Sequence, residues 1–220
     1  MKTAKDLIIP FDWENRRPIC LDRFFYVPSS YEYTPENIPF FDNSQEIMLE
    51  YCSGNGQWIL EKAASFPHLN WIAVEKKFER ARKIWRRMKA LSLQNLFVVC
   101  SEALVFSRFY APLIKKAFIN FPDPWPKRRH AKHRLVQRPF IEALLRILPE
   151  EGEVHTATDD QKYADQMIQE FEKSKSWKLL FFSKDLDHYG DSFFKHLWES
   201  MGREIYYTRF VRRHVDKALS

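Results

Sequence analysis

From Glu46 onward the sequence alternates short, fully apolar runs with longer stretches whose apolar residues recur every three or four positions. That alternation limits the fold more than any other feature of the chain. "EIMLEY" (46–51), "NWIAVE" (70–75), "NLFVVC" (95–100), "KAFINF" (116–121) and "GEVHTAT" (152–158) read as buried strands. Between them Trp58, Ile59, Ala63 and Phe66 make one helical stripe, stopped before Pro67. Phe78, Ala81, Trp85 and Met88 make a second, Ile141, Leu144, Leu145 and Leu148 a third, and Tyr163, Met167 and Phe171 a fourth. "WKLLFF" (177–182) and "EIYYTRFVRR" (204–213) supply two late strands. Strands alternating with helices in this way predict an α/β fold, a mostly parallel sheet with helices on both faces. Such sheets bind ligands outside the carboxyl ends of their strands, where strand order reverses. The loops after the first four strands are therefore where function is sought.

Residues 1–44 differ from the rest. They are rich in Pro, Tyr and Phe and show no clean periodicity, so they are expected to form an N-terminal arm or cover over a main domain of 45–220. No apolar run approaches the roughly 20 residues of a membrane-spanning helix, and Met1 to Pro10 is too short and too interrupted by charge for a secretory signal. The three cysteines, Cys20, Cys52 and Cys100, include no Cys-x-x-Cys pair. That argues against a zinc knuckle or disulfide framework and fits a reducing, cytoplasmic compartment. The net charge of +6 permits a polyanionic partner, but distribution matters more than the sum. Basic residues gather at Lys127–Arg134, between Lys76 and Lys89, and at Arg209, Arg212, Arg213 and Lys217. Charge runs are usually solvated faces, and much of 76–89 is read that way.

The first loop, Glu50-Tyr51-Cys52-Ser53-Gly54-Asn55-Gly56, carries two glycines that let the backbone turn tightly beside a ligand. Ile59 stands where a dinucleotide fingerprint wants a third small residue, and no Lys-Ser/Thr pair follows, so nicotinamide and nucleoside-triphosphate readings are disfavoured. Glu75 closes the second strand, where a carboxylate accepts hydrogen bonds from ribose hydroxyls; an acid at a strand end is as often a solvated terminus. Glu102 holds the corresponding place after the third strand. Glu50 is more unusual, a carboxylate ending a strongly apolar strand just before the glycines, where it could offset a sulfonium charge.

The most specific stretch is Phe121-Pro122-Asp123-Pro124-Trp125-Pro126-Lys127-Arg128-Arg129-His130. Three prolines in five positions stiffen a loop at a strand's carboxyl end and lock one acid among them. This loop resembles the signature of bacterial tRNA (guanine-N7-)-methyltransferases. "LEYCSGNG", "NWIAVE", "FPDPWPKRRHAKHRL", "ATD" (157–159) and "YTRF" (207–210) are similar in layout to the same family. The resemblance implies a Rossmann-like S-adenosylmethionine-dependent methyltransferase fold, a seven-stranded sheet with the last strand antiparallel. It implies S-adenosylmethionine binding by Glu50, Gly54, Gly56, Glu75, Glu102 and Asp123, with Asp123 also catalytic. It places Lys127, Asp159, Thr208, Arg209, Phe210 and Val211 at the substrate guanosine, and Arg129, His130, Ala131, Lys132, His133 and Arg134 against RNA. The expected partner is tRNA, in the family at a variable-loop guanosine; monomer and homodimer both stay open, and no metal or membrane is expected.

Three departures stand out. Cys52 replaces the first glycine of the family's Glu-x-Gly-x-Gly-x-Gly loop, Glu102 replaces an Asp, and Val211 stands where Glu is usual. Asp159 is also readable as a helix N-cap, and Trp125 as packing rather than a stacking platform. Two rivals remain: a methyltransferase acting on an exocyclic base amine, and a non-catalytic RNA-binding protein on a decayed methyltransferase fold, which Cys52 keeps open.

Overall fold

The computed structural model describes residues 7–10, 14, 16–28, 33–184, 186, 189–190 and 193–214, the Arg128 side chain excepted. Lys217 of the C-terminal basic group and part of the 1–44 arm lie outside the described residues. In chain order the strands are β1 (Ile19–Leu21), β2 (Phe24–Tyr26), β3 (Ile47–Tyr51), β4 (Asn70–Val74), β5 (Leu96–Cys100), β6 (Lys116–Asn120), β7 (Glu153–Thr158), β8 (Trp177–Ser183) and β9 (Tyr206–Arg212). The helices are α1 (Gln57–Ser65), α2 (Phe78–Ala90), α3 (Ala103–Phe109), α4 (Arg138–Ile147), α5 (Gln161–Glu172) and α6 (Phe193–Ser200).

One sheet runs β1-β2-β5-β4-β3-β6-β7-β9-β8. β2 through β7 are parallel, and β9 lies antiparallel to both β7 and β8. Nine strands stand among the described residues where seven were expected. The two additional strands come from the arm: Phe24–Tyr26 joins β5 in parallel, and Ile19–Leu21 folds back on it. Side chains alternate across a strand, so Phe24 enters the core on one face and Phe25 the core on the other.

Those two cores follow from the helix stripes. Ile59 and Ala63 of α1, with Ala81, Ile84, Trp85 and Met88 of α2, cover one face. Phe106 of α3, Phe140, Ile141 and Leu144 of α4, and Tyr163, Met167 and Phe171 of α5 cover the other. α4 carries Pro139 in its first turn, where a missing N–H costs nothing, and Asp160 caps α5 by accepting from the Tyr163 N–H at 2.8 Å. The change of face occurs between β3 and β6, which splits the crossovers and opens the carboxyl ends of the strands there.

Candidate active site

A cavity of about 350 Å³ opens at that split, lined by Cys52 after β3, Glu75, Lys76, Lys77 and Arg80 after β4, and Ser101 and Glu102 after β5. Phe121 through Trp125 close it after β6, Asp159 after β7, and Phe194 and Trp198 of α6 from outside the sheet. Its size falls within the ~300–1,000 Å³ of small-molecule sites.

The glycine loop turns through three left-handed residues, Cys52 (φ 61°), Gly54 (φ 55°) and Gly56 (φ 72°). Gly56 cannot be replaced without movement, since a Cβ there would stand 2.6 Å from the Ile84 side chain. Cys52 holds a glycine's conformation without being one, at a cost on the order of 1 kcal/mol. Gly54 donates its N–H to Glu75 Oε2 at 2.9 Å, and Lys77 donates its own to Oε1 at 2.8 Å. Two loops are thus tied to one carboxylate, which is buried and fixed before any ligand arrives. Gly54 itself does not border the cavity: the Phe194 ring would lie 3.1 Å from a Cβ added there.

Glu50 is 2% exposed. Its Oε1 accepts from Asn120 Nδ2 at 2.8 Å, and Asn120 Oδ1 in turn accepts from the Tyr189 hydroxyl. Oε2 has no hydrogen-bond partner among the described residues. Burial pushes this carboxyl up to about 7, against the lowering effect of the Asn120 hydrogen bond. The residue borders a narrow recess shared with Cys52, Asn120, Phe121 and Phe194. Burial, with Glu75 and Glu50 close by, pushes the Cys52 thiol up to about 12, so it stays a neutral, poor nucleophile.

The proline loop is bracketed by two more left-handed residues, Phe121 (φ 46°) and Trp125 (φ 42°). Between them Asp123 Oδ1 accepts from the Trp125 N–H at 3.3 Å, and the side chain borders the same cavity as Glu75. Asp159 is ion-paired to Arg203, whose guanidinium lies 4.3 Å from the centre of the Trp198 ring. The N-cap reading of Asp159 is corrected, because Asp160 caps α5.

A protein-family model described as "Putative methyltransferase" matches residues 44–208 of the chain. The tRNA (guanine-N(7)-)-methyltransferase of Chlamydia caviae is 42% identical over 218 residues, which is 95% of this chain and 97% of that one. The Chlamydia abortus enzyme of the same name is 43% identical over the same share of both chains. The chain belongs to the tRNA (guanine-N7-)-methyltransferase family. A Staphylococcus aureus member is 37% identical over 123 residues, 56% of this chain and 58% of its own. Solved structures share the fold at low identity. An antibiotic-resistance methyltransferase, Kmr, superposes at TM-score 0.56 with 19% identity over 78% of this chain and 88% of its own. The plantazolicin methyltransferase BamL, solved with SAH, superposes at 0.53 with 11% identity over 79% of each.

The cofactor of this methyltransferase family is S-adenosylmethionine, and the residues present fit it. The unpartnered Glu50 oxygen suits a cation, and the immobilised Glu75 carboxylate suits hydroxyl donors. Glu102, exposed ahead of α3, adds an acceptor on the same wall.

Several sequence expectations find their residues elsewhere. Lys127 is exposed ahead of a 3-10 helix, Arg128–His133, and does not border the cavity. In that helix Arg129, Lys132 and His133 are exposed, His133 borders the cavity, and His130 and His133 pack against Trp125 with ring centres 5.8 and 5.2 Å away. Ala131 brings no polar side chain, and its carbonyl already accepts from the Arg134 N–H. Arg134, expected against RNA, makes contacts within the protein. Its Nε donates to the Pro124 carbonyl at 2.7 Å, its NH1 donates to Gln166, and its guanidinium lies over the Tyr163 ring. The Thr208–Val211 segment, expected at the substrate guanosine, is part of β9 and does not line the cavity. Thr208 Oγ1 bonds Thr156 Oγ1 at 2.7 Å, and Phe210 stacks on Phe171 in the core. Arg209 and Val211 pair with His155 and Glu153, so Val211 sits five residues, ~17 Å, below the carboxyl end of β7.

Sequence reading missed the α6 contribution, Phe194 and Trp198, and the Arg203 brace; the only signal was an aromatic pair four residues apart in "FFKHLWES". Among the described residues no group of three or more His, Cys, Asp or Glu could hold a metal, and no helix is long and apolar enough to cross a membrane.

Proposed function

We propose that the protein transfers the methyl group of S-adenosylmethionine to N7 of a guanosine in tRNA, in the variable loop, working in the cytoplasm as a monomer or homodimer. The observation that carries the reading is the proline-locked Asp123 bordering the same cavity as Glu75 and the glycine loop. S-adenosylmethionine supplies an electrophilic methyl group. Glu75 and Glu102 would hold its nucleoside part, and Glu50 would face its cationic part.

Guanine N7 offers a lone pair and carries no proton, so the chain needs no general base at the attacked atom. The carbon–sulfur bonding pair stays with sulfur, and the purine takes up positive charge. A fixed carboxylate beside the acceptor base stabilises that charge as it develops. Asp123 does this, and its oxygens accept from guanine N–H groups that adenine lacks in that arrangement. Asp159, held by Arg203, is the second acid facing the base, and Trp198 offers an aromatic wall for a base drawn out of its stack. Exposed Arg129 and Lys132 meet phosphates beside the loop.

A decayed site finds no support in this geometry: Cys52 takes the left-handed backbone a glycine would take there, and its thiol stays neutral beside a methyl donor. The test is incubation with labelled S-adenosylmethionine and unmodified tRNA, followed by nucleoside mass spectrometry and base-specific cleavage. Label in 7-methylguanosine of the variable loop is expected; label on an exocyclic amine, or none, overturns the reading.

A further inference from the structure

The stretch 76–89, most of it α2, carries more surplus positive charge than the whole protein. Residues 76–89 hold eight Lys or Arg and one acid, Glu79, against a net charge of +6 for the entire chain. Ala81, Ile84, Trp85 and Met88 are buried, which fixes the helix rotation and turns the cations outward. One flank adjoins the cavity: Lys76, Lys77 and Arg80 line it, and Arg87 NH1 donates to the Asn55 carbonyl of the glycine loop at 3.1 Å. On the other flank Arg82 pairs with Glu79 and Lys89 with Asp22, surface ion pairs that hold their cations only weakly. Lys83 and Arg86 stand exposed between the two.

We infer that the outer face of α2 is a second docking ledge for tRNA, gripping its phosphate backbone away from the methylated base. The inference rests on the tRNA reading above. Thirteen helical residues span ~20 Å, enough to pass several phosphates of an RNA strand. Phosphate is the fitting partner because the face presents long cations without the exposed apolar or aromatic anchor that a protein interface centres on. The ledge begins at the cavity mouth, so RNA whose base enters the cavity reaches α2 without a separate binding event. Contacts of this kind are indifferent to sequence; they raise affinity for any structured tRNA and leave the choice of base to the cavity.

The test compares two charge-matched triple variants of the full chain by tRNA binding over a salt series. One is Arg82→Gln, Lys83→Gln, Arg86→Gln on α2. The other is Lys173→Gln, Lys175→Gln, Lys178→Gln, exposed residues near the end of α5 and the start of β8, at the opposite end of the strands. The α2 triple is expected to weaken tRNA binding roughly tenfold or more at low salt and flatten the log–log salt slope by about 2 to 3 units, with the control slope nearly unchanged. S-adenosylhomocysteine binding and thermal midpoint, followed in both variants, should match the parent and show that each has folded. Equal losses in the two triples, or no loss in the α2 triple, overturn the ledge. Failure of the parent itself to methylate tRNA would strike the functional reading and not this surface.

Discussion

Glu50 and Cys52 stand two positions apart in the chain, and each holds a state that ordinary solution conditions disfavour. Glu50 is a buried carboxyl raised to about 7 from an ordinary 4.5. A carboxyl with a raised folded value favours folding below its unfolded pKa, and that contribution is lost as pH rises through the folded one. Ligand-free protein is therefore expected to lose roughly 3 kcal/mol between about pH 4.5 and 7 from this group, and Glu50→Gln to flatten that slope. Cation binding has the opposite sign, because it needs the ionised acid. S-adenosylmethionine affinity should fall as pH drops below about 7, by up to tenfold per unit, and Glu50→Gln should erase both the fall and the preference for S-adenosylmethionine over its uncharged-sulfur product. Calorimetry across pH 5.5 to 8 checks this, and an unchanged preference would remove Glu50 from the cofactor's cationic end. At Cys52 the left-handed backbone sets the outcome. Cys52→Gly should leave stability within about 1 kcal/mol, relieved strain offsetting a looser unfolded chain, whereas Cys52→Val should cost more and weaken cofactor binding. Equal behaviour of the two would mean the turn is not under backbone control.

At the scale of elements, the parallel strands β3 to β7 and helices α1, α2, α4 and α5 were legible because each pairs a buried run or stripe with a stop such as Pro67 or Gly56. β1 and β2 were not, since three residues are too few to display an alternation. α6 escaped because none of its residues is buried; it packs over the site and not into the core. Thr208–Val211 lies off the cavity wall for a directional reason: an antiparallel last strand carries its later residues away from the carboxyl ends, which a local motif does not reveal. Arg134 shows the same limit within a charge run, for nothing in "KRRHAKHR" marks it as a cation that turns inward. It ties the proline loop to α5, so Arg134→Ala is expected to cost about 1–2 kcal/mol of stability and to slow turnover while phosphate contacts persist. Arg134→Lys should not restore it, because one ammonium cannot bridge Pro124 and Gln166 while stacking on Tyr163. Thermal midpoints beside single-turnover rates check this; a loss confined to tRNA affinity would return Arg134 to the RNA surface.

Across the whole molecule, charge and chemistry occupy different parts. The acids Glu50, Glu75, Asp123 and Asp159 gather at the carboxyl ends of the strands, while α2 and the exposed 3-10 helix residues carry cations beside them. Net charge alone was a weak pointer to RNA; its placement around one acid-lined cavity is a stronger one. Arg129→Ala or Lys132→Ala should weaken tRNA binding and flatten its salt dependence by about one unit each. Unchanged slopes would make that run ordinary solvated surface. The account depends most on Asp123 acting in the chemical step and not in tethering RNA. The decisive measurement is the single-turnover methylation rate of Asp123→Ala on saturating, pre-bound tRNA, with tRNA and S-adenosylhomocysteine affinities taken from the same preparation. A rate lower by roughly 100-fold or more, with tRNA still held at near-parental affinity, is the expected result; a parental rate would contradict the account.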